Sequence, residues 1–232
     1  MKYRIKGDSD CPIVEINLDR KETVKIERGS MAYMSNVTIE GKMNGNKKGL
    51  SGALGTLGRA IVSGESFFVT EAMGVATDGV LGIAPSIPGK IVCLEVEPGH
   101  HYYLNDGAFL ACDKDVTYEM KRQSLGRALL GGTGGFFVMH TAGRGDLLIN
   151  AYGDIQEIKV TDGHPISIDN EHVVAWEDTL NYELKIASGT FGFTTGEGLV
   201  NEFSGNGKVY IQSRNIRSLA SALIPYMPKS SD

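Results

Sequence analysis

Apolar and polar residues alternate in short runs along most of the chain. Ile13-Val14-Glu15-Ile16-Asn17-Leu18 carries an apolar side chain at every second position, as does Thr23-Val24-Lys25-Ile26. A period of two sends successive side chains to opposite faces of a strand. The same reading predicts strands over Lys90–Glu97, Tyr102–Leu104, Leu147–Ala151, Ile155–Val160, Ile166–Ile168, Tyr182–Ile186 and Lys208–Ser213. Turn residues separate them: Glu97-Pro98-Gly99, Gly143-Arg144-Gly145-Asp146, Thr161-Asp162-Gly163 and Gly205-Asn206-Gly207. Many short strands divided by tight turns predict an all-β barrel or sandwich. Asn215–Met227 breaks the pattern. Its apolar positions Ile216, Leu219, Ala220, Leu223 and Ile224 have helical spacing, which Pro225 and Pro228 end.

The pattern repeats. Ile91–Met120 aligns with Ile155–Leu184 at a constant offset of 64 residues (158 − 94), pairing Leu94 with Ile158, Gly99-His100 with Gly163-His164, Ala111 with Ala175 and Tyr118 with Tyr182. A fainter copy, Ile26–Met31, matches Leu104–Phe109. A second half of each copy opens at Ser66, Gly135 and Gly198. The expectation is a single domain over 1–232, made of three repeats at about 1–85, 86–152 and 153–232. Each repeat is too small to close a core alone, so the three should form one compact pseudo-threefold unit with a few short helices. Leu57–Ile61 matches Leu125–Leu129, and both read as helical turns inserted before the second half.

Composition narrows the function classes. A formal charge of −5 argues against a chain-wide nucleic-acid footprint, which needs clustered Lys and Arg. Thirty glycines with seven prolines and no Gly-X-Y period fit tight turns. Cys11, Cys93 and Cys112 form no C-x-x-C pair and are odd in number, which favours a reducing, cytoplasmic setting. The polar residues after Met1-Lys2-Tyr3-Arg4 predict no secretory signal.

Chemistry is sparse. Gly131–Gly135 lacks the Lys-Ser/Thr of a phosphate loop, and Gly52–Gly58 reads G-x-x-G-x-x-G without a framing strand and acid. No G-x-S-x-G elbow exists, and Gly64-Glu65-Ser66 loses its serine in the other copies. Cys93 and Cys112 lie in apolar strands, where cysteine is a small buried hydrophobe. The histidines His100, His101, His140, His164 and His172 have no metal-ligand spacing and read as solvated turn-edge residues. No catalytic, cofactor-binding or metal-ligating residue is assigned, and no cofactor. The segment 47–64 is glycine-rich and apolar between basic ends. Within it Leu50–Val62 is expected to bury Leu50, Leu54, Leu57 and Ile61 at a subunit interface or against the core, with lipid contact the minority reading.

The succession GESFFVTEA, PGKIVCLEV, GAFLACDKDV, GGFFVMHTAGRGDLLINAYGDI, VAWEDTLNYELK and GEGLVNEFSGNGKVYIQSR resembles, over essentially the whole chain, the bacterial and archaeal family that includes the mitochondrial biogenesis protein of altered inheritance of mitochondria. The resemblance implies a fold related to the tryptophan RNA-binding attenuation protein, with repeats of double-stranded β-helix type, and a homotrimer. It implies no established enzymatic activity and no catalytic residues. The mitochondrial member is tied to inner-membrane organisation, and carrying that here is analogy alone. The preferred function is a non-enzymatic oligomeric scaffold or interaction protein, trimer favoured, with peripheral membrane contact open and nucleic acid disfavoured. The alternative is a small-molecule- or metal-binding β-helix protein, enzymatic chemistry included, with His100, His101, His164 and Glu95 as the residues to watch.

Overall fold

Strand pairing organises the computed structural model, which describes residues 1–7, 10–43, 68–123, 137–186 and 199–228. The chain begins with β1 (Lys2–Lys6), β2 (Ile13–Leu18), β3 (Thr23–Glu27), β4 (Met31–Ser35) and β5 (Val37–Met43). Then come β6 (Phe68–Gly74), β7 (Gly79–Ile83), β8 (Ile91–Val96), β9 (Tyr102–Leu104), β10 (Phe109–Asp113) and β11 (Val116–Arg122). They are followed by β12 (Phe137–Gly143), β13 (Gly145–Asn150), β14 (Ile155–Val160), β15 (Ile166–Asp169) and β16 (Val173–Glu177). The last strands are β17 (Asn181–Ile186), β18 (Leu199–Ser204) and β19 (Gly207–Gln212), before α1 (Ile216–Leu223), the one α-helix among the described residues. The segment Leu50–Val62, the insertions Leu57–Ile61 and Leu125–Leu129, the glycine runs and Ser66 lie outside the described residues.

The protein is mainly β. The described strands form four antiparallel sheets: β1-β2-β7-β4, β5-β6-β3-β10-β13-β8, β11-β12-β9-β16-β19-β14 and β15-β18-β17. The two six-stranded sheets share one scheme, since adding six to each strand number of one gives the other. Each is sewn together at its middle by a short strand, β3 on β10 and β9 on β16. Registers coincide: Ala111 lies opposite Ile26, and Ala175 opposite Leu104. A register shift recurs between Met31 and Tyr33, Phe109 and Ala111, and Val173 and Ala175.

Burial follows the alternation where one face is wet. In β2, Val14, Ile16 and Leu18 are buried while Asn17 is exposed. Strands β10 and β16 read as continuous apolar runs, and four of the five residues in each are buried. Both faces of these strands are covered, because they stand between clusters. The apolar side chains collect in three clusters: one around Ile16, Leu81 and Leu148, one around Leu104, Met139 and Leu147, and one around Trp176, Phe203 and Val209. Glycine decides two details. The turns before β9 and β15 place Gly99 (φ 84°) and Gly163 (φ 78°) in the left-handed region. Gly89 bridges Gly153, and a Cβ there would sit 1.8 Å from the Ala151 carbonyl oxygen.

α1 is capped by Asn215, whose side chain accepts from the Ser218 N–H. Its apolar residues remain in water: Ile216, Leu219 and Leu223 are all exposed, as is Ile224 just beyond.

Trp176 has no solvent exposure, with Tyr103, Tyr182 and Phe203 around its ring at 4.8–5.5 Å. Trp176→Ala is expected to cost about 3–5 kcal/mol, the range for truncating a large core aromatic. Urea unfolding followed by far-ultraviolet circular dichroism measures it. A loss under about 1 kcal/mol, the scale of an ordinary substitution, contradicts the packing described.

Candidate functional site

The seam between β9 and β16 gathers most of the protein's histidines. Strand registers align four side chains in a row across the sheet: Trp176 opposite Tyr103, Tyr103 opposite His140, and His140 opposite Glu119. Alternation puts His101 on the same face as Tyr103, and Asp178 on the same face as Trp176. The Asp178 N–H continues the ladder by donating to the His101 carbonyl at 3.0 Å. One end of this face is therefore apolar, under Trp176 and Val138, and the other is polar.

At the polar end the His140 imidazole lies between two carboxylates. Its Nδ1 is 3.4 Å from Glu119 Oε1, and its Nε2 is 3.2 Å from Asp178 Oδ2. His101 Nδ1 approaches the same Asp178 oxygen at 3.5 Å. Among the described residues, His101, His140 and Asp178 form the one group able to offer three donor atoms to a metal, all within 4.8 Å of one another. Tyr103 stacks on His140 at 4.5 Å and fixes its ring plane. Lys121 sits 3.1 Å from Glu119 and 5.4 Å from the Tyr103 ring centroid. Lys121 and then His140 hold the Glu119 carboxyl below its ordinary range.

The opposite face carries a second group. Glu177 pairs with Tyr102 across the strands. His100 Nε2 lies 3.1 Å from Glu177 Oε1 and 3.1 Å from the Tyr102 hydroxyl. Glu177 Oε2 also accepts the Lys208 N–H. Burial, with neighbouring Tyr210 and Glu177, raises the Tyr102 phenol far above its ordinary range, so it stays protonated.

Several sequence expectations meet the structure differently. His164 is exposed in its turn, and Glu95 is exposed on β8, opposite Asp146; neither joins His100 or His101. His140 is no turn-edge residue but sits mid-strand, its side chain 15% exposed. His172 faces the Gln212 carbonyl at 2.7 Å. Cys112 is buried as expected, whereas Cys93 faces outward on β8. His140 and Asp178 are 38 residues apart, which no local motif reveals. The one signal in the chain is that the neighbouring sheet has Glu71 at the register position of His140, so the fold does not demand histidine there.

The described residues thus define an antiparallel all-β protein of tandem sheets with one short helix, and no helix among them is long and apolar enough to cross a membrane. The model of the mitochondrial biogenesis AIM24 family matches residues 3–214, and the chain belongs to that family. It is similar to an uncharacterized protein of Streptococcus pyogenes serotype M6, 46% identical over 234 residues, spanning 100% of this chain and 93% of that relative. It is also similar to the X-ray crystal structure of a Streptococcus pyogenes protein, with a TM-score of 0.79 and 43% identity, covering 97% of this chain and 99% of the other.

One half-buried acid gives a measurable handle. Glu27, at the end of β3, has a carboxylate oxygen that meets no hydrogen-bond donor among the described residues. Burial, with Asp106 adding repulsion, pushes its carboxyl from near 4.5 up to about 7. The folded protein therefore keeps a proton that the unfolded chain releases between those values. Stability from this group is complete below pH 4.5 and is lost as pH rises through 7. Glu27→Gln should flatten the fall in urea midpoint between pH 5 and 8 and raise stability at pH 8. An unchanged pH slope in the variant contradicts the assignment.

Proposed function

We propose that the protein is a non-enzymatic oligomeric scaffold, built of three double-stranded β-helix-type repeats and assembled head to tail. The observation that carries this reading is the open edge of β4. Every residue of β4 is exposed, with Met31 at 37%, Tyr33 at 40% and Met34 at 42%. Its register counterparts do the opposite. Cys112 and Trp176 occupy the Met34 position in β10 and β16, and both are fully buried. The difference is a neighbour: β3 covers β10 and β9 covers β16, while β4 ends its sheet among the described strands.

The missing neighbour has a counterpart at the other end of the chain. β3 and β9 each pair on both sides, whereas β15 pairs with β18 alone among the described strands. β15 of one copy can therefore cover β4 of the next, as β3 covers β10. The shared register sets Tyr33 opposite Ile168, Met34 opposite Ser167 and Ser35 opposite Ile166. An unpaired strand edge with apolar side chains is a standing invitation to such pairing. The contact joins two different surfaces, so it closes as a ring or runs on as a filament. A closed trimer is the favoured ring, in line with the resemblance. The exposed apolar side of α1 favours a second reading, in which the assembled protein also rests on a membrane surface.

Light scattering at micromolar concentration tests the assembly. The wild type should exceed the 25.0 kDa of one chain. Met31→Lys with Met34→Lys places charge on the edge and should return the mass to one chain without lowering the melting temperature of the monomer. A monomeric wild type, or a variant that assembles as before, overturns the proposal.

A further inference from the structure

The geometry at the β9–β16 seam points to a divalent metal site, and we propose that His101, His140 and Asp178 bind one zinc-like ion, oriented by Glu119. The argument is independent of the scaffold reading.

It starts from hydrogen-bond inventory. A neutral imidazole has one N–H and one lone pair, and an ionised carboxylate only accepts. His140 faces a carboxylate at each ring nitrogen, Glu119 at 3.4 Å and Asp178 at 3.2 Å. With one proton on the ring, one of these contacts sets acceptor against acceptor. A cation between His140 Nε2 and Asp178 removes the conflict, leaving Nδ1–H to donate to Glu119. That carboxylate–histidine–metal chain is the usual outer support of a metal-bound histidine.

Distances fit. A tetrahedral ion with bonds of about 2.0–2.1 Å holds its ligand atoms roughly 3.3 Å apart. Asp178 Oδ2 stands 3.2 Å from His140 Nε2 and 3.5 Å from His101 Nδ1. The third separation, between the two histidine nitrogens, is within 4.8 Å and closes on binding through the His101 ring, since Tyr103 restrains His140. All three side chains are partly buried, at 15–24% exposure, and the Tyr103 ring already restrains His140. Two imidazoles and one carboxylate select zinc or a neighbouring first-row divalent ion over calcium or magnesium. Three protein ligands leave a fourth position for water or for an oxygen donor from a bound molecule.

The fold does not impose these side chains. The matching positions of the other six-stranded sheet, found by register, hold Thr23, Glu71 and Lys114. There Lys25 stands where Tyr103 stands here, and its ammonium reaches the Lys114 and Val116 carbonyls. The donor triad is thus an addition to a shared framework rather than a packing requirement.

The test uses untagged full-length chain, stripped with chelator and dialysed. Zinc chloride is titrated by calorimetry, and cobalt chloride by visible absorption. One ion per chain should bind, and cobalt should give the strong bands of four-coordinate geometry. His140→Gln and Asp178→Asn should each weaken zinc at least about tenfold, and Glu119→Gln by about 10- to 100-fold, the range for losing an outer-shell partner. His164→Gln, in an exposed turn, should bind as wild type. Circular dichroism of each metal-stripped variant checks folding, and Glu119→Gln carries the test if a ligand variant fails to fold. The proposal is overturned if the wild type shows no saturable binding at micromolar metal, or if the ligand variants bind like wild type. It is also overturned if His164→Gln abolishes binding.

Discussion

A strand has two edges, and each presents a row of N–H and C=O groups that must find partners or water. Most of this structure follows from how that demand is met at the short strands β3 and β9. Each is wedged between a strand of its own half-sheet and a strand that comes later in the chain. That wedge turns two three-stranded halves into one six-stranded sheet. It also pairs the second edge of β10 and of β16, whose two faces lie between apolar clusters, which is why these two strands need apolar residues at consecutive positions. Without the wedge, the three apolar clusters would be separate and poorly covered.

Register is what stays constant across the seams, while side chains vary. The residue after the recurrent bulge is Tyr33, Ala111 or Ala175, facing Gly82, Leu148 or Tyr210. Large and small exchange sides: a Cβ on Gly82 would collide with the Tyr33 ring, and Ala175 makes room for Tyr210. Volume is conserved across the pair, as close packing requires. The same freedom lets one seam carry Lys25 and another Tyr103 with its histidines. Chemistry is thus hung on a ladder whose hydrogen bonds do not depend on it.

Strands with one wet face were legible from alternation alone. Ile155–Val160 and Tyr102–Leu104 coincide with their expected limits, and Lys208–Ser213 differs by one residue at each end. β1 was not, because Lys2–Lys6 alternates weakly and is held by pairing with β2. β4, β10 and β16 carry no alternation to read, since their surroundings rather than a wet-and-dry contrast choose their residues. The histidine site was less legible still. Its members come from the approach to β9, the middle of β12 and the residue after β16, and only pairing brings them together. His100 and His101 drew notice beside their turn, but their partners Glu177, His140 and Asp178 belong to other strands.

The placement of Trp176 has a consequence for anyone watching the protein by light. It is the chain's one tryptophan and lies wholly in the third apolar cluster. Apolar clusters that pack apart from one another can loosen separately. Tryptophan emission then reports that cluster and says nothing of Ile16, Leu81 or Leu148. Melting that begins at the first cluster would leave the fluorescence unchanged while much of the amide backbone had already opened to solvent.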